Sequence, residues 1–365
     1  MVVRVLHILD KISVDSGISS VVMNYYNKLD HNRLTFDFML NEDLDPGTRA
    51  HLEGNGSGIY VMPGLRPANI FKYIGALKEF YKGHDYKIIH GHVANSAILY
   101  LRLAKNVPCR ILHSHSIRSS DIFWKGARNW LLTRLARQAA NLYAACSEEA
   151  AIFLFGEKNN AFILNNAIDG DKFLFNAEIR ENTRRELGLE GKLVIGHVGR
   201  FSAVKNHAFI IEVFCEVFKI NNHARLMLIG AGGLYRDIVR KTEKLGIREA
   251  VVFVGAADNV GAYMSAMDIF VLPSVFEGFG MVGIEAQAAG LYVLASVNVP
   301  GMIDFTGNVE FLRFDKFLWA RKLLGAHTAL DRTGQGKKIK GGRFDIETQA
   351  MKLCGYYEKL LDGVH

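Results

Sequence analysis

The stretch Ile269-Phe270-Val271-Leu272-Pro273-Ser274-Val275-Phe276-Glu277-Gly278-Phe279-Gly280-Met281-Val282-Gly283-Ile284-Glu285 decides the fold of this chain. Ile269 to Pro273 is a short apolar run with the composition of a buried strand, closed by proline. A loop with glycines at 278 and 280 follows. From Met281 to Ala289 the pattern predicts a helix. A strand that feeds a glycine loop and then a helix is the building block of an open parallel α/β sheet. Glycines let backbone N–H groups approach an anion, and the helix N-terminus adds its dipole. Glu277 sits just ahead of the glycines. Glu285 lies two turns into the helix, where it can accept hydrogen bonds from sugar hydroxyls.

Moving outward, the same rhythm runs through both halves. In the first, Val2–Leu9, Thr35–Leu40, Gly58–Met62, Lys87–His90, Cys109–His113 and Leu142–Ala145 read as strands. Helices are expected over Ser19–Leu29, Asn69–Lys82, Asn95–Ala104 and Trp124–Ala139. The pattern restarts at the strand Leu193–Val198. It continues through Ala208–Ile220, Ala224–Ile229, Tyr235–Leu245, Val251–Val254 and Gly261–Ser265, and resumes after Glu285 with the strand Leu291–Ala295. Between Asn165 and Lys192 polar residues dominate, the β rhythm pauses, and a hinge is expected. This predicts two doubly wound Rossmann-like α/β domains facing across a cleft. The expected bounds are 1–168 for an N-terminal acceptor domain and 190–343 for a C-terminal donor domain. Residues 344–365 would form a helix crossing back to the first.

Composition bounds the function. The chain has 365 residues, 49% hydrophobic and 22% charged, enough for two cores. Lys plus Arg outnumber Asp plus Glu by 44 to 37, a net charge of +7 that suits anionic partners. No nucleic-acid motif accompanies it, so no nucleic-acid partner is expected. Cys109, Cys146, Cys215 and Cys354 are too far apart in sequence for a metal or redox pair, which points to a reducing compartment. Met1–Asp10 reads as a strand rather than a signal peptide, and no apolar run is long enough for a transmembrane helix. A cytoplasmic protein is expected.

Two cations follow the Leu193 strand, in Gly199-Arg200-Phe201-Ser202-Ala203-Val204-Lys205. A rigid guanidinium fork and a compact ammonium at a strand's carboxyl end suit a diphosphate. They would stabilise the charge that grows on a leaving phosphate.

Glu277-Gly278-Phe279-Gly280 with Glu285 resembles the Glu-x7-Glu motif of retaining family-4 glycosyltransferases of the GT-B fold. Gly199-Arg200 with Lys205 is similar to their phosphate-binding signature. Asn166-Ala167-Ile168-Asp169 resembles the segment leading into their hinge, with Ala167 where Gly is common. His113-Ser114-His115 and Gly342-Arg343-Phe344-Asp345-Ile346 resemble the bacterial capsule and exopolysaccharide branch. The resemblance implies transfer of a sugar, with retention of configuration, from a nucleoside-diphosphate sugar to a glycan or polyprenyl-linked acceptor. UDP is expected rather than GDP. Neither a cofactor nor a metal is required. Arg200 and Lys205 would bind the diphosphate, and Glu277 would contact the transferred sugar and serve catalysis. Gly278, Phe279 and Gly280 would offer backbone N–H groups. Glu285 would hold the ribose and Gly255 would border the base. Gly17, in the loop after the first strand, would approach the donor phosphate.

His113 and His115 are two apart at a strand end and point the same way. The resemblance puts a histidine of this pair at the acceptor and sugar site; which one is open. His90 and His92 are weaker candidates. The helix from Trp124 carries Trp124, Leu131, Leu135 and Leu142 on one face, with Lys125, Arg128, Arg134 and Arg137 nearby. It could instead pack on its own sheet, but it suits the inner face of the plasma membrane and an anionic, lipid-linked acceptor. Asp43-Leu44-Asp45 and Asp169-Gly170-Asp171 could hold a divalent ion, yet neither ends a strand. Gly230-Ala231-Gly232-Gly233 after a strand raises a nicotinamide-dependent oxidoreductase, but position 235 is Tyr and the full spacing fails. A sugar-nucleotide epimerase of the same fold and a lipid-surface binding module also compete with the transferase reading.

Overall fold

The structure is a computed structural model that describes residues 2–13, 16–115, 132, 134–158, 160–326 and 332–363. The chain divides into two units, 1–167 with 346–365 and 168–345.

The first unit runs β1 (Val3–Ile8), α1 (Gly17–Tyr26), β2 (Leu34–Leu40), α2 (Pro46–Gly54), β3 (Ile59–Val61), α3 (Ile70–Gly83), β4 (Ile88–Gly91), α4 (Ala97–Leu103), β5 (Cys109–Ser114), β6 (Leu142–Ala145), α5 (Glu148–Phe155) and β7 (Phe162–Ile163). All seven strands are parallel, in the order β3-β2-β1-β4-β5-β6-β7. The second unit runs α6 (Ala177–Glu186), β8 (Leu193–Val198), α7 (His207–Ile220), β9 (Ala224–Ile229), α8 (Tyr235–Lys244), β10 (Val251–Gly255), α9 (Val260–Ala266), β11 (Ile269–Leu272), α10 (Met281–Ala288), β12 (Tyr292–Ser296), β13 (Val309–Leu312) and α11 (Lys316–Gly325). Its six strands are also parallel, in the order β10-β9-β8-β11-β12-β13. The last helix, α12 (Ile346–Asp362), belongs to the first unit. The fold is two Rossmann-like domains, as the βα alternation requires.

Strand order reverses between β1 and β4 in one sheet and between β8 and β11 in the other. Loops leaving the carboxyl ends of such a strand pair diverge and open a crevice, the usual ligand position in this architecture. In the second unit those loops are 199–206 and 273–280. Arg200, Lys205 and Glu277 therefore all lie at a switch point.

The polar stretch expected to be a hinge contains α6. Its sequence, Ala177 to Glu186, carries few apolar residues, so periodicity does not reveal it. It is held by charge instead. Arg184 donates to Asp268 at 2.7 Å and Arg180 also pairs with Asp268. Arg180 and Arg184 bond the carbonyls of Met267 and Ala266 besides. α2, α5, β13 and α11 likewise join the elements read from periodicity. α11 is fixed by Trp319, 1% exposed in the second core, whose indole N–H reaches Arg313 O at 2.9 Å.

Of the basic helix expected over Trp124–Ala139, residues 124–131 and 133 lie outside the described residues, and 134–139 are helical. Among the described residues, no helix is long and apolar enough to cross a membrane. The Asp-x-Asp strings have local uses. Asp43 pairs with Arg49, and Asp45 caps α2 by accepting from Thr48 N at 2.9 Å. Asp171 pairs with Lys340 at 3.0 Å.

Candidate functional site

Three loops of the second unit are tied together by backbone geometry. The loop after β8 crosses the loop after β9: Gly199 N donates to Ile229 O at 2.9 Å, Phe201 N to Ala231 O at 2.9 Å, and Leu234 N to Phe201 O at 3.1 Å. Only glycine permits the crossing. A Cβ on Gly230 would lie 2.2 Å from Gly199 O, and one on Gly232 would lie 2.6 Å from Phe201 O. Both have positive φ, 137° and 153°. The 230–233 glycines thus serve loop packing, which explains the partial dinucleotide pattern.

Lys205 ends a short 3-10 turn (Ala203–Lys205), and Asn206 then turns the chain into α7. Asn206 has φ 54°, a left-handed conformation that asparagine tolerates better than most side chains. Val275 N donates to Val204 O at 2.8 Å, locking this turn to the loop after β11. The outcome is a contact between the two switch-point loops. Lys205 Nζ donates to Glu277 Oε2 at 2.7 Å, and Ser274 Oγ donates to the same oxygen at 2.8 Å. The lysine and glutamate side chains are 20% and 15% exposed, so solvent screens the pair only in part.

Glu285 stands on the second turn of α10, partly buried. Burial raises its carboxyl pKa to about 7, against the lowering influence of the nearby Lys205 charge. No described residue donates a hydrogen bond to that carboxyl. One ammonium therefore sits among two acidic groups, one bonded and one not. Arg200 is exposed on the same loop as Lys205.

Gly280 adopts φ 90° as the N-cap of α10, so its glycine is a backbone requirement. Phe279 is buried, its ring edge-on to Phe344 at 5.9 Å. Its side chain anchors the loop, leaving its backbone as the part able to meet a ligand. Gly255, at φ 84°, ends β10 and accepts from Gly230 N at 2.7 Å. It borders an open groove of about 630 Å³ lined by the 230–233 loop, Tyr235, Arg236, Phe253 and Val254. The groove is of a size suited to a small organic ligand. Sequence pattern does not single out Tyr235 and Arg236, because they occupy the first turn of an ordinary amphipathic helix. Asp304 accepts from Gly307 N at 2.8 Å, a turn role.

The first unit has a different constellation. Strand alternation puts His7 on β1, His90 on β4 and His113 on β5, with His92 and His115 just beyond the latter two strands. Their rings stack and bond into a chain. His115 Nε2 meets His92 Nδ1 at 2.8 Å, and His92 Nε2 meets His7 Nδ1 at 2.9 Å. His7 Nε2 meets the Tyr357 hydroxyl at 3.2 Å, and that hydroxyl meets His90 Nδ1 at 2.6 Å. His90 Nε2 meets His113 Nδ1 at 2.9 Å. Burial holds His7 down to about 3 and His115 to about 4, and pushes His90, His92 and His113 well below the ordinary range. All five are neutral near pH 7. Of the expected pair, His113 is 2% exposed while His115 is partly exposed. The contribution of His7 and Tyr357 is not legible in sequence: no local spacing links residues 7 and 357 to the pair. Gly17 begins α1, capped by Ser16 Oγ, which accepts from Ser19 N at 3.3 Å. A Cβ there would meet open space.

Residues 179–317 match the family described as glycosyl transferases group 1. EpsF of Bacillus subtilis, which bears a glycosyltransferase name, is 29% identical over 317 residues, covering 82% of this chain and 81% of its own. The UDP-Gal:alpha-D-GlcNAc-diphosphoundecaprenol alpha-1,3-galactosyltransferase of Escherichia coli is 24% identical over 83% of this chain and 80% of its own. Among solved structures, Anabaena HepE in complex with UDP and glucose superposes with a TM-score of 0.80 at 19% identity, covering 98% of this chain and 99% of that one. WaaG, a glycosyltransferase involved in lipopolysaccharide biosynthesis, gives 0.73 at 16% identity, covering 96% and 98%. At these identities the superpositions establish the fold alone. Residues 179–317 are therefore similar to the group 1 glycosyl transferases, and the framework of two Rossmann-like domains is shared with solved structures of GT-B type.

Proposed function

We propose that the protein transfers a sugar from a nucleoside-diphosphate sugar to a glycan or lipid-linked acceptor, with retention of configuration. The observation that carries this reading is the Lys205–Glu277 contact at the β8/β11 switch point, beside Glu285. Lys205 and Arg200 would receive the diphosphate and stabilise its charge as the glycosidic bond breaks. Glu277, held by Lys205 and Ser274, would accept hydrogen bonds from the sugar hydroxyls. Backbone N–H groups of residues 278–280 would face sugar or phosphate. Glu285 would accept from the ribose, an exchange that favours its ionised form and releases a proton on binding. The groove beside Gly255 would take the base. Gly17 and the less enclosed histidine, His115, would lie on the phosphate and acceptor side. Attack from the leaving-group face would let the departing phosphate take the acceptor proton, with no covalent enzyme intermediate.

UDP as the carrier is supported by the HepE complexes with UDP and UDP-glucose. A polyprenyl-linked acceptor, and with it polysaccharide synthesis at a cytoplasmic membrane face, is supported by relatives named for diphosphoundecaprenol substrates. The test is release of nucleoside diphosphate from a panel of UDP- and GDP-sugars, with and without undecaprenyl diphosphate-linked sugars. Release that survives Glu277→Ala undiminished would sink the reading.

A further inference from the structure

The histidine chain of the first unit has two free ends, and they lie together. His113 Nε2 and His115 Nδ1 are buried without a hydrogen-bond partner, on rings stacked 4.0 Å apart. A buried nitrogen left unpaired loses its hydration without compensation. Nothing about stacking strands requires that loss, since phenylalanine would fill the same space.

We propose that His92, His113 and His115 bind a divalent transition-metal ion of the zinc class. Their ligand nitrogens lie within 4.8 Å of one another. His92 Nδ1 and His115 Nε2 face each other at 2.8 Å. Two nitrogens on a tetrahedral ion with bonds of about 2.0–2.1 Å stand roughly 3.4 Å apart, so a small opening of this contact admits the metal. His113 brings Nε2, the nitrogen that His90 leaves unused; of the two unpaired nitrogens only this one ligates, and His115 Nδ1 stays outside the set. The outer partners match a ligating set. His92 uses its other nitrogen on His7, and His113 uses its other nitrogen on His90. Both lines converge on the Tyr357 hydroxyl. Histidine ligands are commonly fixed in this way, by a hydrogen bond from the ring nitrogen opposite the metal. A second trio, His7, His90 and His92, is fully enclosed and offers no unpaired ring nitrogen, whereas the first brings the unpaired Nε2 of His113. The His92–His113–His115 trio has an approach through the partly exposed His115.

Three imidazoles without thiolate or carboxylate select zinc, copper or nickel over magnesium and calcium. Three protein ligands leave a fourth position open, and the uncompensated charge there draws an anion or an ionised water. The site shares His115 with the acceptor side proposed above, and ion retention is measured apart from sugar transfer, so either reading can fail without the other.

The experiment uses the tag-free full chain, stripped with chelator, reloaded with Zn2+ or Co2+, freed of loose ion by gel filtration and assayed for metal. The expected result is about one ion per chain, with the visible bands of four- or five-coordinate Co2+. His113→Gln and His115→Gln, each checked for its fold by circular dichroism, should lose the ion. Tyr357→Phe should bind about 10–100-fold more weakly. His223→Gln, at an exposed histidine of the other unit, should bind as the parent does. A parent protein that retains no stoichiometric ion overturns the proposal without recourse to any variant. So does retention unchanged in both His113→Gln and His115→Gln.

Discussion

The two sheets solve the switch-point problem with opposite chemistry. At the β1/β4 switch the chain places neutral, stacked imidazoles whose hydrogen bonds are spent on one another. At the β8/β11 switch it places formal charges on glycine-bearing loops, with a lysine between two acidic groups. The first arrangement is uncharged near neutral pH. The second keeps backbone amides and an unbonded carboxyl available to a polar ligand. Equal topology therefore does not dictate equal function; the side chains at the strand ends do.

The comparison breaks most sharply at Glu277. Glu277→Ala leaves Lys205 without its partner, and turnover should fall at least about 100-fold while the circular dichroism spectrum is retained. A smaller loss would mean that the charged switch point is structural. Next comes Gly232→Val. Its side chain would clash with Phe201 backbone at a φ hostile to any branched residue, costing about 2–4 kcal/mol in denaturant unfolding and weakening nucleotide binding in calorimetry.

The two ends should also answer pH with opposite sign. Glu285 has a folded pKa near 7, above its unfolded value, so the native state binds the extra proton between about pH 4.5 and 7. Its contribution to stability is full below that window and is lost as pH rises through it, on the order of 1–3 kcal/mol. Glu285→Gln should flatten that slope. The histidines of metal-free protein are depressed, so the unfolded state binds more protons below about pH 6.5. Their contribution is full above that value and is lost as pH falls toward 4. Urea midpoints across this range, for the parent and for Glu285→Gln, separate the two. The smallest effect is expected at Gly17. Gly17→Ala meets no atom and needs no unusual φ, so stability should change by at most about 1 kcal/mol. An activity loss beyond that would come from ligand approach at the α1 N-terminus.

Much of this is legible in the sequence because it is local. Ile269–Glu285 declares strand, glycine turn and helix within seventeen residues, and the positive φ of Gly280 follows from the turn it makes. α6 is not legible, since it is held by two arginines on Asp268 rather than by an apolar stripe. At the histidines, strand alternation predicts that His113 and His115 share a face but cannot say which is enclosed. Ring contacts from β1, β4 and α12 decide that.

The sequence alone determined the α/β alternation, the number of domains and the loops that carry the charged residues, because those follow from periodicity and turn chemistry over short spans. Only the tertiary structure decided that Lys205 bonds Glu277, that no described residue bonds the carboxyl of the partly buried Glu285, and that residues 7, 92, 115 and 357 belong to one chain of hydrogen bonds. Those contacts join positions tens to hundreds of residues apart. They exist because parallel strand register and loop closure bring the positions together, and no local pattern encodes that.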